Sequence, residues 1–304
     1  MKKARTTSTV ALAACLAMAA WGASAAEART DNRSKPIIYL HGLDAAGTAG
    51  VDCNMWNSMI STMNGWGHSG SDVKLKYYTG DTNCSASLDH HGSHSKHYSS
   101  DAHDGAGTSH TADASIRHLG YHLAWYIYDH YSQSGTTVDV VGHSMGGLII
   151  RYGLAQVQRD NADFPPYLYV EDVTTLGTPH AGSNWSGWCF LALECNEIYP
   201  SSSFQTWLRD YAQNPQGSGG TDWTAIASYD DGLVSESSGV AMDASHKTKY
   251  LGSMDYGHSD YYKKTSDVRE ADVEYYDRGA AWKTWYSAPH GVRWSDFALT
   301  YGDW

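Results

Sequence analysis

One stretch constrains this chain more than any other: Val138-Asp139-Val140-Val141-Gly142-His143-Ser144-Met145-Gly146-Gly147, followed by Leu148-Ile149-Ile150-Arg151-Tyr152. Val138, Val140 and Val141 read as a short buried strand, and Leu148, Ile149, Tyr152 and Leu154 recur at the period of an amphipathic helix. Between them, Gly142-x-Ser144-x-Gly146 sets a serine on a sharp strand-to-helix turn, with small neighbours that let strand and helix approach each other. Such a turn lifts the hydroxyl clear of a sheet, at a helix N-terminus whose backbone N–H groups can face a developing negative charge. A bare five-residue pattern matches many glycine-rich turns by chance. Here the strand before it and the helix after it are both present, so Ser144 is expected to be a nucleophile.

The elements on either side repeat a strand–helix alternation. Ile37-Ile38-Tyr39-Leu40 ends at His41-Gly42-Leu43; Met55, Met59, Ile60 and Met63 have helical spacing; Asp72 to Tyr78 alternates as a strand. This β-α-β order predicts a parallel sheet. Ile116, Leu119, Leu123, Trp125-Tyr126-Ile127 and Tyr131 predict an apolar helix before the elbow. Strands are expected within 167–176, over 222–228 and over 249–252. Residues 80 to about 112 interrupt the pattern, with His90, His91, His94, His97, His103 and His110 among Ser, Gly and Asp. Without a ligand spacing on a recognisable element, this tract reads as a solvated insertion rather than a metal site. Residues 183–220 are irregular; Trp185, Trp188, Phe190, Leu191 and Leu193 there would suit an acyl pocket or lid, or equally a helical cap packed on itself. The Tyr- and Trp-rich tail from Tyr261 to Trp304 has no readable function.

The N-terminus has the pattern of a secretory leader. Lys2, Lys3 and Arg5 precede an apolar run from Val10 to Ala20 and small residues at Ala23-Ser24-Ala25-Ala26. Residues 1–26 are therefore set apart from a single 27–304 domain. Their removal would take the formal charge from −12 to −15, a poor match to nucleic acid or an anionic membrane. No later stretch is apolar enough to span a bilayer. An oxidising compartment suits disulfides among Cys53, Cys84, Cys189 and Cys195. Proximity in sequence favours Cys53–Cys84 and Cys189–Cys195.

A serine hydroxyl needs a base to take its proton and a carboxylate to orient that base. In an α/β-hydrolase the chain order is Ser, acid, His. Asp231 and His258 satisfy it, each just past an expected strand. Asp230 is the rival acid, while His246 and His290 are the rival bases. His180, only one sheet position beyond the serine, reads as a loop or pocket residue. Leu43 N–H and Met145 N–H are the expected oxyanion donors.

Together, Ile38-Tyr39-Leu40-His41-Gly42-Leu43, Gly142-His143-Ser144-Met145-Gly146-Gly147, Asp231-Gly232-Leu233-Val234 and His258-Ser259-Asp260 resemble the secreted bacterial triacylglycerol lipases and esterases of the α/β-hydrolase fold. The resemblance runs from about Lys35 to Asp260. It implies a mostly parallel sheet with helices on both faces and a lid insertion. It also implies Ser144 as nucleophile, Asp231 as acid, His258 as base, and Leu43 and Met145 as oxyanion donors. The chemistry so implied needs no organic cofactor, and the expected partner is an ester or lipid substrate. The family usually places asparagine before the histidine, where this chain has Gly257. It also often holds a structural calcium through the aspartate of H-x-D, here Asp260, but no partner acid is evident upstream. A polyester depolymerase or short-chain esterase would use the same residues. A non-catalytic metal- or carbohydrate-binding relative is the rival of a different class.

Overall fold

The computed structural model describes residues 32–43, 50–88, 115–185 and 193–301. Nine strands form one sheet in the order β3-β2-β1-β4-β5-β6-β7-β8-β9. These are β1 (Ile37–Leu40), β2 (Asp72–Lys76), β3 (Ala86–Ser87), β4 (Val138–His143), β5 (Val170–Leu176), β6 (Asp222–Ser228), β7 (His246–Tyr250), β8 (Ala271–Asp277) and β9 (Lys283–Ala288). Every pairing from β3 through β7 is parallel, and β7–β8 and β8–β9 are antiparallel. Strands β1, β4, β5 and β6 are buried along their whole length, as a parallel sheet covered on both faces requires.

The helices are α1 (Asn57–Gly65), α2 (Ile116–His130), α3 (Met145–Gln158), α4 (Leu193–Ile198), α5 (Ser203–Tyr211), α6 (Glu236–Gly239), α7 (Asp260–Lys263) and α8 (Gly291–Thr300). Ser115 caps α2 by accepting from His118 N–H, and Ser202 caps α5 by accepting from Gln205 N–H. One face of the sheet packs Leu119, Leu123, Leu148, Tyr152, Phe204 and Leu208 from α2, α3 and α5 into a single core. The other packs Met59, Met63, Tyr261, Val292 and Trp294 from α1, α7 and α8. The expected α/β-hydrolase architecture is thus present.

Several expectations are corrected. Residues 80–88 are not a solvated insertion: Asp81 and Leu88 are buried, and Ala86–Ser87 form the edge strand β3. The histidines from His90 to His110 lie outside the described residues. The tail, whose function the sequence does not show, belongs to the fold: Ala271–Asp277 and Lys283–Ala288 extend the sheet and Gly291–Thr300 packs on it. The strand expected over 249–252 runs instead over His246–Tyr250, which puts His246 within the sheet. His246 is 1% exposed and opens β7, at the opposite end of the parallel strands from the elbow. The Cys53–Cys84 disulfide is formed, whereas Cys189, and so the second expected pairing, lies outside the described residues. Trp188, Phe190 and Leu191 of the expected lid also lie outside them. Helix α5 packs its Phe204 and Leu208 into the main core. No described helix is long and apolar enough to cross a membrane.

Candidate active site

Strand β4 delivers Ser144 at its carboxyl end. The residue adopts φ 53° and ψ −125°, a region that L-residues avoid and that costs on the order of 1–3 kcal/mol. Two backbone bonds hold it there: Ser144 N–H donates to Leu176 O at 2.8 Å, and Gly147 N–H donates to Ser144 O at 3.2 Å. Two glycines make the crowding tolerable. A Cβ on Gly42 would stand 2.8 Å from the Ser144 Cβ, and one on Gly146 would stand 2.3 Å from Leu40 O. The loop after β1, the serine and the start of α3 therefore share one van der Waals layer.

The loops after β6 and β7 bring the second and third expected groups together. His258 Nδ1–H donates to Asp231 Oδ2 at 2.8 Å and lies 3.0 Å from Oδ1. Oδ1 also accepts from Leu233 N–H and Val234 N–H, at 2.9 and 3.0 Å. Oδ2 accepts from the Tyr261 hydroxyl at 3.0 Å. Burial pushes the Asp231 carboxyl up, but the bonds from His258, Leu233 and Val234 outweigh it and hold the group below the usual carboxylate range. Asp231 is thus an ionised, fully bonded acceptor.

Ser144 and His258 line one cavity of about 240 Å³ with Gly42, Leu43, Val51, Met55, Ile198, Leu233, Val234 and Tyr262. Its walls are mainly apolar. A larger and more polar cleft of about 740 Å³ shares Ser183, Trp185 and Leu233 with it and is bordered by Asn184, Ser235, Glu236 and Ser237. The larger cleft is not lined by Ser144 or His258, so size does not mark the chemistry here. The Ser144 hydroxyl and the His258 imidazole thus open on the same mainly apolar pocket. The contacts among the described residues assemble no metal at this position. The Asp260 carboxylate is spent on Gly257 N–H, at 2.9 Å, and no cluster of three or more ligand-type side chains stands among the described residues.

The rival residues are elsewhere. Asp230 turns toward Gly252, and His290 caps α8 with its Nδ1 on the Tyr256 hydroxyl. His246 lies among Asp222, Tyr275 and Asp277. His180 is a buried loop residue, bonded to Thr175 Oγ1 at 3.0 Å and set against the Arg151 guanidinium. Sequence reasoning missed three groups. Tyr261 is the first, and its signal was its place three residues beyond His258. His143 is the second: its Nε2–H donates to His258 O at 2.8 Å, and burial, then the neighbouring His258, push its pKa down to about 3. Neutral His143 therefore anchors the backbone of the loop that carries His258. The third is Asp81, bonded to His41 Nε2 at 2.9 Å; nothing in its Gly-Asp-Thr setting marks it.

No curated protein matches the sequence at a significant level. Similar solved structures include the Bacillus licheniformis lipase BlEst2 in its propeptide form, at 20% identity over 76% of this chain and 48% of that one, with a TM-score of 0.45. Aspergillus fumigatus lipase B is similar at 13% identity over 74% and 48%, with a TM-score of 0.47. The lin2722 product of Listeria innocua is similar at 17% identity over 76% and 89%, with a TM-score of 0.46. The chain spans about half the length of the first two. The profile that matches it directly covers residues 33–192, more than half of the sequence and the whole of the elbow, and on that match the chain belongs to the family described as "Putative serine esterase (DUF676)".

Proposed function

We propose that this esterase works through Ser144, His258 and Asp231. His258 Nε2 takes the proton of the Ser144 hydroxyl as Oγ attacks the ester carbonyl carbon. The tetrahedral oxyanion is held by the N–H groups of Leu43 and Met145. Collapse breaks the bond to the alcohol oxygen, which leaves with the proton from His258. A water then repeats the sequence on the acyl-enzyme, releasing the acid and restoring Ser144. Asp231 keeps Nδ1 protonated, so that Nε2 is free to act as the base. The observation that supports this reading best is a single one: strained Ser144 and Asp231-bonded His258 open on the same apolar cavity.

The cavity also supports a substrate class. At about 240 Å³ it falls below the roughly 300–1,000 Å³ usual for drug-sized ligands, which favours a short or medium acyl chain. The polar cleft alongside, with Asn184, Ser235 and Glu236, favours a hydroxylated alcohol portion. The leader-like N-terminus and the Cys53–Cys84 disulfide support secretion.

An acyl-chain series of p-nitrophenyl esters, run on wild type beside Ser144→Ala, tests the reading. The expected result is activity peaking at short to medium chains, lost in the variant to the residual level of an oxyanion hole alone. Activity retained in Ser144→Ala would remove the triad. A peak at long chains, rising on emulsions, would remove the short-chain preference only.

A further inference from the structure

The loop after β1 holds a second His–Asp pair. His41 and Asp81 are both buried, with side chains 0% exposed. His41 Nε2 lies 2.9 Å from Asp81 Oδ2, and its Nδ1 lies 2.8 Å from Gly42 O. Both partners are oxygens that accept, so the two ring nitrogens face them as donors. The Asp81 carboxylate is built to remain charged opposite it. It also accepts from Val51 N–H at 2.7 Å and from Tyr77 N–H and Tyr78 N–H at 2.9 Å each. Burial pushes Asp81 up, but His41 and the backbone donors hold it below the usual carboxylate range. The His41 ring stacks on the Tyr77 ring at 3.9 Å, and the Tyr77 hydroxyl donates to His41 O.

Gly42 O belongs to the same planar amide as Leu43 N–H. In a trans peptide the two point in opposite directions. A donor that captures the carbonyl therefore fixes where the N–H points, and it also polarises the N–H into a stronger donor. Leu43, Gly42 and Ser144 line one cavity. We propose that His41 and Asp81 are positioning residues for the oxyanion hole: His41 locks and polarises the Gly42–Leu43 amide, and Asp81 holds the His41 ring in place. This rests on the reading of Leu43 N–H as an oxyanion donor. Neither residue touches substrate.

Three variants test it: Asp81→Asn, His41→Leu and His41→Asn, the last keeping an amide donor near the Nδ1 position. Each is measured for kcat and KM on a p-nitrophenyl ester, and for the Ki of an alkyl trifluoromethyl ketone, whose adduct with serine carries an oxyanion. Deleting an oxyanion donor outright costs about 10²–10³ in kcat, so losing its orientation should cost about 10- to 100-fold. The expected result for Asp81→Asn and His41→Leu is that fall in kcat, a rise in Ki by a similar factor, and KM within about twofold. His41→Asn should recover most of the loss relative to His41→Leu. A merely structural role would lower the melting temperature and leave the ratio of Ki to KM unchanged. That result in the variants that fold overturns the proposal, and the two His41 variants decide it if Asp81→Asn does not fold. Ser144→Ala separates the two failures. If that variant is active, the triad reading falls and this inference with it. If it is inactive while Ki tracks KM, only the dyad falls.

Discussion

Asp231 receives more donors than its partnership with His258 needs. Two backbone N–H groups fix Oδ1, and the Tyr261 hydroxyl fixes Oδ2 from helix α7. Burial, then Asp231 itself, raise the Tyr261 phenol well above its ordinary pKa, so it remains a donor at any working pH. Its bond sets the plane of the carboxylate, and hence the direction in which His258 Nδ1 is pulled. Replacing Tyr261 with Phe removes one bond to a buried charge while leaving Oδ2 its bond from His258. The expected cost is about 1.5–3 kcal/mol of stability, the range for bonds to charged groups. In catalysis kcat should fall several-fold with KM unchanged, because Tyr261 does not line the apolar cavity. Urea melts and steady-state kinetics on Tyr261→Phe check both. A rise in KM with constant kcat would place Tyr261 in substrate binding instead.

At the scale of elements, the segment that ends β2 works as a strap. Thr82 N–H donates to Val51 O, Cys53 N–H donates to Thr82 O, and Asn83 reaches Asp52. The Cys53–Cys84 bridge closes this strap across a separation of 31 residues. A disulfide over such a loop is worth about 2–4 kcal/mol. The strap carries Asp81 and Val51, so reduction, or a Cys53→Ser/Cys84→Ser pair, should lower the melting temperature and also reduce kcat. Thermal melts and kinetics with and without reductant check this; a stability loss with full kcat would detach the strap from the site. The strap also marks the limit of what the sequence makes legible. Strands β1, β2 and β4 to β6 are readable because each is a run of β-type or alternating residues ending near a turn; of β7 only Lys249 and Tyr250 fall within the expected strand. The elbow is readable because its small residues are a steric requirement. Strand β9 is not, since its residues from Lys283 to Ser287 are exposed and carry no burial pattern. Asp81 is not either, because its meaning lies in a contact across forty residues with His41, which no local pattern encodes. Asp231 and His258 are readable as an order along the chain, past expected strands and within short motifs, whereas their bond is a tertiary fact.

Buried titratable groups stand at both ends of the sheet. At the amino ends of the strands, Lys35 is ringed by Asp172 at 2.9 Å, Asp139 at 3.0 Å and Glu171 at 3.4 Å. At the carboxyl ends stand His143 and His180, both folded neutral. Burial and then His258 depress His143 to about 3, and burial and then Arg151 depress His180 well below the ordinary range. An unfolded histidine titrates near 6.5, so as pH falls below that value the unfolded chain takes up two protons that the fold refuses. Asp139 acts in the other direction: burial and then Asp172 raise its carboxyl, which offsets part of that proton difference. The two histidines outnumber the one carboxyl, so stability should fall as pH drops from about 6 toward 4. Below about pH 4 the fall should steepen. Asp81 and Asp231 are depressed in the fold, and their contribution, present above the unfolded carboxylate pKa, is lost as pH drops through their folded values. Urea denaturation from pH 7 to pH 4 measures the slope, and His180→Asn isolates one proton of it. In that variant the slope between pH 6 and pH 4 should be shallower than in wild type. An unchanged slope would mean that His180 is charged in the fold, and that the Arg151 guanidinium beside it does not exclude a second cation.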